Sequence, residues 1–317
     1  MSNNTLGEII RSLRKRAHIT QEELAEGICS PISVSRIENG TQMPSNSVLE
    51  ALLSRLGTST YQICNIYYQT DKQIAFNQEA DRVAELLSSG QLPEAKDKLA
   101  ALEKAANNDS VNMQYYLLLS ATIKLYEETN MEKVLSILYK AIEITKPSFD
   151  FLDFRNELLT VREANILNVI TAALFRSNET IRAIHLGEEL FCSLKKHVST
   201  ISGYNLLRIN VAFNLAQYME KEYRYKEALM YCQEAESLSM SSQEQMLLPE
   251  IQFIKAKILH LQGNDAESHT ILKAIIPYME LVKKAEFAAL ARNFAEKELN
   301  LFIPASNEEN NHACMDI

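Results

Sequence analysis

The chain has 317 residues, of which 46% are hydrophobic, and its formal net charge is −9 at pH 7. It is long enough for two domains and for a proper buried core. No stretch reaches the ~18 apolar residues that span a bilayer, and the first residues lack the charged-then-apolar pattern of a signal peptide. These features argue against a membrane protein, and we expect a soluble, cytosolic chain without membrane contacts.

The composition favours helices throughout. Only 8 glycines and 7 prolines occur, so the turns that sheet proteins need are scarce. Leu, Ala, Glu and Lys are abundant and favour helix. The five cysteines are odd in number and widely spaced, without a CxxC pair. We therefore predict an all-α protein with reduced thiols, and neither a disulfide framework nor a zinc site.

The charge is unevenly distributed along the chain. Residues 1–70 contain six basic and six acidic side chains and are neutral overall, so the remaining residues carry the whole net charge. Four of the six basic side chains lie between Arg11 and Arg16. Only this N-terminal segment is suited to binding a polyanion, and it has few charges with which to do so.

The first and the last helix predicted before residue 57 share one apolar pattern. Both carry aliphatic residues at the i, i+3, i+4, i+7 spacing of an amphipathic helix. These residues are Leu6, Ile9, Ile10 and Leu13 in one helix, and Leu49, Leu52, Leu53 and Leu56 in the other.

Two short helices are predicted between them. Thr20 and Glu23 form a capping box, which starts a helix that we expect to continue through Ile28. Ser30 can cap the next helix, and Pro31 suits its first position because a proline lacks the amide hydrogen that would be unbonded there.

The second short helix has an inward face and a clear end. Val34 and Ile37 are three residues apart and face the core, while Asn39-Gly40 tolerates the left-handed geometry of a helix end. Pro44-Ser45 opens the following helix. Ala25 is small where the two short helices would cross. Two short helices joined by a tight turn and flanked by helices indicate a helix-turn-helix. The second helix of this motif enters the major groove of DNA.

The stretch "TQEELAEGI...SVSRIENG...PS" resembles the repressor-type helix-turn-helix of the Xre/lambda-repressor class over residues 6–67. The resemblance implies a five-helix DNA-binding domain over residues 1–69. It assigns phosphate binding to Gln21, base reading to Ser30, Pro31, Ile32, Ser33 and Arg36, contacts with the DNA backbone to Thr41, Gln42 and Ser45, and a structural ion pair to Arg14 and Glu38.

These positions also have simpler interpretations. A capping box alone is most often only a helix start, and a lone arginine or a short basic run is most often a solvated surface. Pro31 and Ile32 replace polar residues that often read bases in this class, so polar readout would fall on Ser33 and Arg36. Ile32 would then meet a thymine methyl. The combination at this spacing nevertheless favours DNA binding.

A weak repeat begins at about Asp71. Five segments share a small or polar turn followed by a helix, and we align them on a small or aliphatic residue that is the sixth of each segment. The aligned residues are Ala95, Val134, Ile181, Ala228 and Ser268, at spacings of 39, 47, 47 and 40. Residues 223–229, "YRYKEAL", resemble a tetratricopeptide repeat, although the spacing exceeds the usual ~34. We predict about five helix pairs plus a C-terminal helix over residues 70–303, stacked as a superhelix with a concave face, and a polar tail over 304–317.

No catalytic pattern emerges. The six histidines have no metal-ligand spacing, and neither a glycine-rich phosphate loop nor a GxSxG motif occurs. We therefore expect no enzyme activity, no metal and no cofactor. Helical repeats usually hold a peptide or a protein, and asparagine can pair with both polar groups of a peptide unit. The candidate peptide-binding residues are Asn165, Asn168, Asn210 and Asn214, each of which taken singly is more often an ordinary polar residue.

A repressor-type domain followed at once by divergent tetratricopeptide repeats resembles the peptide-pheromone regulators of Gram-positive bacteria, the Rap–Rgg–NprR–PlcR–PrgX group, and its PlcR branch in particular. The resemblance implies a homodimeric transcription factor on an inverted-repeat operator. A short signalling peptide in the repeats, as in quorum sensing, would control its DNA binding, with Asn214 matching a backbone-clamping position best.

Two alternatives remain open. The repeats can bind a protein partner or serve only for dimerisation. The second alternative is a Rap-like inhibitor of a signalling phosphatase pathway, and the intact recognition helix argues against it.

Overall fold

The computed structural model describes residues 6–58, 71–107, 109–127, 130–196 and 204–304. Over these residues the protein is built from α-helices joined by turns and short irregular segments, and no strand occurs in this part. The chain divides into two compact units. One contains 1–149 and 156–163, and the other contains 150–155 and 164–317. None of the described helices is long and apolar enough to cross a membrane.

The head, residues 6–58, contains four described helices. They are α1 (Leu6–Arg16), α2 (Gln21–Ala25), α3 (Pro31–Glu38) and α4 (Asn46–Arg55). Buried aliphatic side chains from all four form one core, which includes Ile10, Leu24, Val34, Ile37 and Leu52. The predicted fifth helix and the predicted boundary at residue 69 lie outside the described residues.

Local sequence signals explain where these helices begin. The Thr20 hydroxyl accepts from the Glu23 amide at 3.1 Å, and the Glu23 carboxylate accepts from the Thr20 amide at 2.6 Å, so the predicted capping box is confirmed. Ser30 caps α3 with Pro31 at its first position, and Ser45 caps α4, as the sequence indicated.

The end of α2 differs from the prediction. The helix stops at Ala25, three residues before Ile28, because Glu26 has left helical geometry with ψ at 122°. Gly27 follows in the left-handed region at φ +69°, where glycine has no steric penalty. The chain therefore turns earlier than the apolar pattern indicated.

The remaining helices follow one another in antiparallel pairs, as the repeat pattern indicated. The pairs are α5 (Asp71–Ser88) with α6 (Leu92–Ala106), α7 (Ser110–Glu127) with α8 (Met131–Glu143), α9 (Val161–Arg176) with α10 (Thr180–Lys196), α11 (Tyr204–Lys221) with α12 (Tyr225–Ser242), and α13 (Leu248–Leu261) with α14 (Asp265–Leu281), followed by α15 (Ala285–Leu299). The predicted polar tail lies outside the described residues from position 305 onward.

One residue of the repeat alignment was misplaced. All five aligned segments are the second helices of their pairs, and the aligned residue is fully buried in four of them. Ile181, however, is 64% exposed, whereas Ala183 two residues later is fully buried. Ala183 is the fourth residue of α10, and Ala95 and Ala228 are the fourth residues of their helices. The small residue that packs against the neighbouring helix at this repeat is therefore Ala183.

Candidate nucleic-acid interface and ligand groove

The recognition helix α3 has a buried face and a free face. Val34 and Ile37 are buried in the head core, whereas Pro31, Ile32 and Arg36 are exposed. Ile32 is 65% exposed, and an aliphatic side chain left in water at this position is suited to contact an apolar group such as a thymine methyl.

The two serines at the start of α3 are tied to each other. The Ser30 hydroxyl accepts from the Ser33 amide at 3.0 Å, and the two hydroxyl oxygens lie 2.9 Å apart. This cap holds the start of α3 in place and uses part of the hydrogen-bonding capacity of both hydroxyls.

Arg36 is different, because its guanidinium makes no hydrogen bond or ion pair within the described part of the chain. All its donors are therefore available to an outside acceptor.

The segment after α3 contains the residues assigned to the DNA backbone. Both donors of Thr41, its amide and its hydroxyl, are directed at Arg36 O, at 2.9 and 3.0 Å. Thr41 therefore has no hydrogen left for a phosphate in this arrangement. Gln42 and Ser45 are exposed, although the Ser45 oxygen already accepts from the Val48 amide at 3.4 Å.

Glu38 is the hub that connects three helices of the head. Its side chain is fully buried, and Arg14 binds it twice, from Nε to Oε1 at 2.6 Å and from Nη2 to Oε2 at 3.0 Å. Gln21 donates from Nε2 to Oε2 at 2.8 Å, and Arg11 approaches the same oxygen at 3.4 Å. The structure thus brings together the two residues of the expected ion pair and adds Gln21 to them.

The contact with Glu38 orients Gln21 for its expected role. One hydrogen of the Gln21 amide group is used by Glu38, which leaves the other hydrogen free to donate to a phosphate. Burial by itself would raise the pKa of Glu38, but the hydrogen bonds from Arg14 and Gln21 and the charge of Arg14 outweigh it and lower that pKa. Glu38 is therefore an anion that holds three donors in place.

Two residues of the head escaped the sequence analysis. Gly7 lies in α1 where α1 touches α3, and a Cβ placed there would lie 2.2 Å from Ile37 O. Arg55, at the end of α4, donates to the carbonyl oxygens of Leu24 and Glu23 at 3.1 and 3.2 Å, and also to that of Glu26. A glycine in an amphipathic pattern and a basic residue near a helix end are weak sequence signals. The tertiary contacts of both residues depend on which helices pack against each other.

The four asparagines lie on two first helices of successive pairs. Asn165 and Asn168 are on α9, Asn210 and Asn214 are on α11, and all four are partly buried. The structure joins two of them, because Asn214 Nδ2 donates to Asn168 Oδ1 at 3.0 Å. The pair keeps the Asn214 oxygen as an acceptor and the Asn168 amide hydrogens as donors.

A cavity of about 310 Å³ is lined by residues of the same two helices and of α13 and α15. Phe213 and Gln217 of α11 line it, and they lie on the same face as Asn210 and Asn214 because they follow at helical spacing. Other walls come from α9, α13 and α15, all of them first helices or the final helix. They are Phe175, Phe253, Ile254, Phe287 and Leu290. We call this space the phenylalanine cavity.

The charged groups around the phenylalanine cavity are mostly paired. Lys257 approaches Glu220 at 3.2 Å, and Lys284 approaches Glu250 Oε1 at 2.5 Å. Lys221 lies with its ammonium 4.7 Å from the centre of the Phe175 ring. Apolar side chains and paired charged groups therefore line the cavity together. No group of side chains that could hold a metal ion occurs among the described residues.

Comparison with known proteins identifies the head. A protein-family model described as Helix-turn-helix (HTH_3) matches residues 10–63. The head is a helix-turn-helix domain. No curated protein sequence matches the chain significantly.

Most of the chain has the fold of solved bacterial proteins. Bacillus thuringiensis PlcR, in complex with the peptide PapR7 and DNA, matches with a TM-score of 0.60 and 19% identity, over 91% of this chain and 99% of that one. The apo form of PlcR matches with a TM-score of 0.55 and 18% identity, over 90% and 98%. The apo form of the competence regulator ComR from Streptococcus vestibularis matches at 0.51 and 17%, over 92% and 97%. This chain therefore shares their fold over most of its length.

Proposed function

We propose that this protein is a transcriptional regulator whose repeat domain binds a short signalling peptide and thereby controls how a homodimer binds DNA. The observation that carries the proposal is the fold shared with PlcR, which was solved with both a peptide and DNA, over nearly the whole length of both chains. As a regulator of transcription the protein works in the cytoplasm and catalyses no reaction.

The geometry of the head supports DNA binding. The exposed face of α3 presents Ile32 and Arg36, and Glu38 holds Gln21 by a hydrogen bond. A head without net charge gains little from non-specific attraction to phosphates. We therefore propose that two heads act together on an inverted-repeat operator, with half-sites one helical turn or a multiple apart.

The geometry of the repeats supports binding of an extended peptide. Each peptide amide or carbonyl that enters a groove without a partner costs ~1–3 kcal/mol. The joined Asn168 and Asn214 offer donors and an acceptor that suit a peptide unit of any sequence. The phenylalanine cavity, which α9 and α11 also line, offers apolar surface to a side chain.

The DNA contacts can be separated by two substitutions. We expect Arg36→Ala to weaken binding to the operator by ~1–3 kcal/mol, because Arg36 reads a base. Gln21→Ala should weaken binding to operator and random DNA alike, because a phosphate contact carries no sequence information. Operator half-sites selected from random DNA would supply the ligand, and gel-shift titrations would measure both affinities.

Lys140→Ala, which removes an exposed positive charge from α8, serves as the matched control and should leave both affinities unchanged. If Arg36→Ala lowers specific and random binding equally, Arg36 is a phosphate contact. The melting temperature of Gln21→Ala must be compared with that of the parent, because Gln21 also binds Glu38.

The peptide hypothesis predicts two effects of Asn214→Ala. The variant should bind the peptide roughly 5–150-fold more weakly, as expected for the loss of one buried hydrogen-bond partner. The peptide should also lose its influence on operator binding, while peptide-free affinity for DNA stays unchanged. Peptides encoded by small neighbouring reading frames would be titrated by calorimetry, in parallel with gel shifts.

Asn205→Ala is the matched control for this experiment. Asn205 is an exposed asparagine on α11, nine residues before Asn214 and hence about half a turn away on the opposite face. If Asn214→Ala binds peptide as well as Asn205→Ala does, the asparagine assignment is wrong. If no short peptide binds the parent protein at all, a protein partner or a purely dimerising role for the repeats replaces the proposal.

A further inference from the structure

The wall of the phenylalanine cavity carries one positive charge without a negative partner. Both glutamates that line the cavity are paired with a lysine. Lys221 also lines the cavity, but its ammonium donates to the neutral Asn178 Oδ1 at 3.0 Å and makes no ion pair within the described residues. Its two other hydrogens are available to an outside acceptor. The charge of this wall is therefore suited to one anionic group of a ligand.

The ammonium of Lys221 is both accessible and held in place. Lys221 is an exposed residue, so a bound ligand can reach it. Its ammonium lies 4.7 Å from the centre of the Phe175 ring, which stacks on Tyr218 with ring centroids 4.4 Å apart. Attraction between the ammonium and the ring keeps the charge beside the aromatic wall. Because Phe175 also lines the cavity, the positive charge and the apolar surface are neighbours.

An occupant of this site should combine two chemical groups. Four phenylalanines, together with Ile254 and Leu290, supply apolar surface on which an aromatic or aliphatic side chain can pack. A carboxylate next to that side chain would accept from Lys221. The last residue of a peptide carries both groups on one Cα. An acidic side chain next to an apolar residue offers the same chemistry from a second source.

We propose that the phenylalanine cavity and Lys221 form a subsite for an apolar residue at the C-terminus of the peptide, with the side chain in the cavity and the terminal carboxylate on the Lys221 ammonium. The subsite rests on the proposed peptide function and adds to it the part of the peptide that the cavity binds. A peptide that is amidated at this residue, or extended beyond it, loses the ion pair. The subsite therefore selects the correct C-terminal end of the ligand.

N-acetyl-phenylalanine and N-acetyl-phenylalaninamide are matched probes, because they differ only in the carboxylate. Ligand-observed saturation-transfer NMR on the full-length protein would measure both dissociation constants. We expect the acid to bind roughly fivefold more tightly than the amide, the upper end for one solvent-accessible ion pair. Raising the salt concentration from about 0.05 M to about 0.5 M should reduce this difference, because salt screens exposed charges.

Two substitutions test the role of Lys221. Lys221→Gln removes the positive charge and should abolish the preference for the acid. Asn178→Asp places a carboxylate against the unaltered Lys221 ammonium and should also abolish the preference, because that charge is then paired. Aspartate suits position 178, whose φ of +62° asparagine and aspartate tolerate. Lys226→Gln, which removes an exposed lysine of α12 outside the cavity lining, should retain the preference.

The second source of a carboxylate requires its own probes. The N-acetylated dipeptides phenylalanyl-aspartate and phenylalanyl-asparagine, both amidated at the C-terminus, differ only in a side-chain carboxylate. A preference for N-acetyl-phenylalanine over its amide that Lys221→Gln abolishes supports the C-terminal subsite. A preference in the dipeptide pair alone overturns the C-terminal assignment and places an acidic side chain on Lys221. Equal binding within both pairs, or no binding, overturns the subsite.

The outcome is separate from that of the proposed function. If a peptide binds the parent protein and requires Asn214, while the probes show equal binding within both pairs, the proposed function stands and only the subsite fails. The unmodified protein is sufficient for this decision, so the subsite can be overturned even where a variant fails to fold.

Discussion

Arg14→Met is expected to unfold the head while the repeats stay folded. The substitution keeps an apolar side chain against the core but removes both hydrogen bonds to the fully buried Glu38. Breaking a buried ion pair costs ~3–5 kcal/mol because the remaining charge is stranded. Gln21 and Arg11 still donate to Glu38, so we expect the lower end of that range.

Hydrogen exchange of the full-length chain, followed by mass spectrometry, measures this effect locally. Peptides from residues 6–58 should lose protection, whereas peptides from residues 204–304 should keep it. Lys15→Met is the control, since Lys15 is the exposed neighbour on α1. Unchanged protection of the head in Arg14→Met would show that the ion pair is dispensable.

The same ion pair gives the head a defined pH dependence. The pKa of Glu38 is lowered in the folded state, so its stabilising contribution is complete above the ordinary pKa of glutamate, ~4.3, and is lost as the pH falls through the folded value. Protection of the head in the unmodified protein should therefore weaken as the pH falls into the acid range, and hydrogen exchange at a series of pH values would measure this loss.

Gly7→Ala is expected to destabilise the head by about 3 kcal/mol, at the upper end of the range for overpacking. The added Cβ would lie 2.2 Å from Ile37 O and 2.8 Å from Glu38 O, and backbone oxygens cannot turn away as a side chain can. On an exposed helix the same change would stabilise by up to ~1 kcal/mol, so the sign of the effect is diagnostic.

The measurement is again hydrogen exchange of the full-length protein, together with operator binding, because α1 can make room only by displacing the recognition helix. Ser12→Ala, on the exposed side of α1, should leave both unchanged. Normal stability of Gly7→Ala would mean that α1 and α3 do not approach as closely as described.

Local signals in the sequence were sufficient for the head and for the order of the helices. The Thr20 capping box, the Ser30-Pro31 start and the Ser45 cap depend on residues within three positions of each other, so each can be recognised without the fold. The end of α2 was misjudged because the apolar pattern continued to Ile28, while the left-handed Gly27 had already ended the helix. Ile181 was aligned in place of Ala183 because both are apolar and only burial distinguishes them.

The sequence by itself therefore determined the all-α class, the helix-turn-helix and the succession of repeat helices, since these follow from periodicity and capping over short distances. Only the tertiary structure decided which side chains meet. The Gln21–Glu38 bond, the close approach of Gly7 to Ile37 and the Asn168–Asn214 pair all join positions on different helices. Such contacts depend on how helices pack, and no spacing along the chain encodes that packing directly.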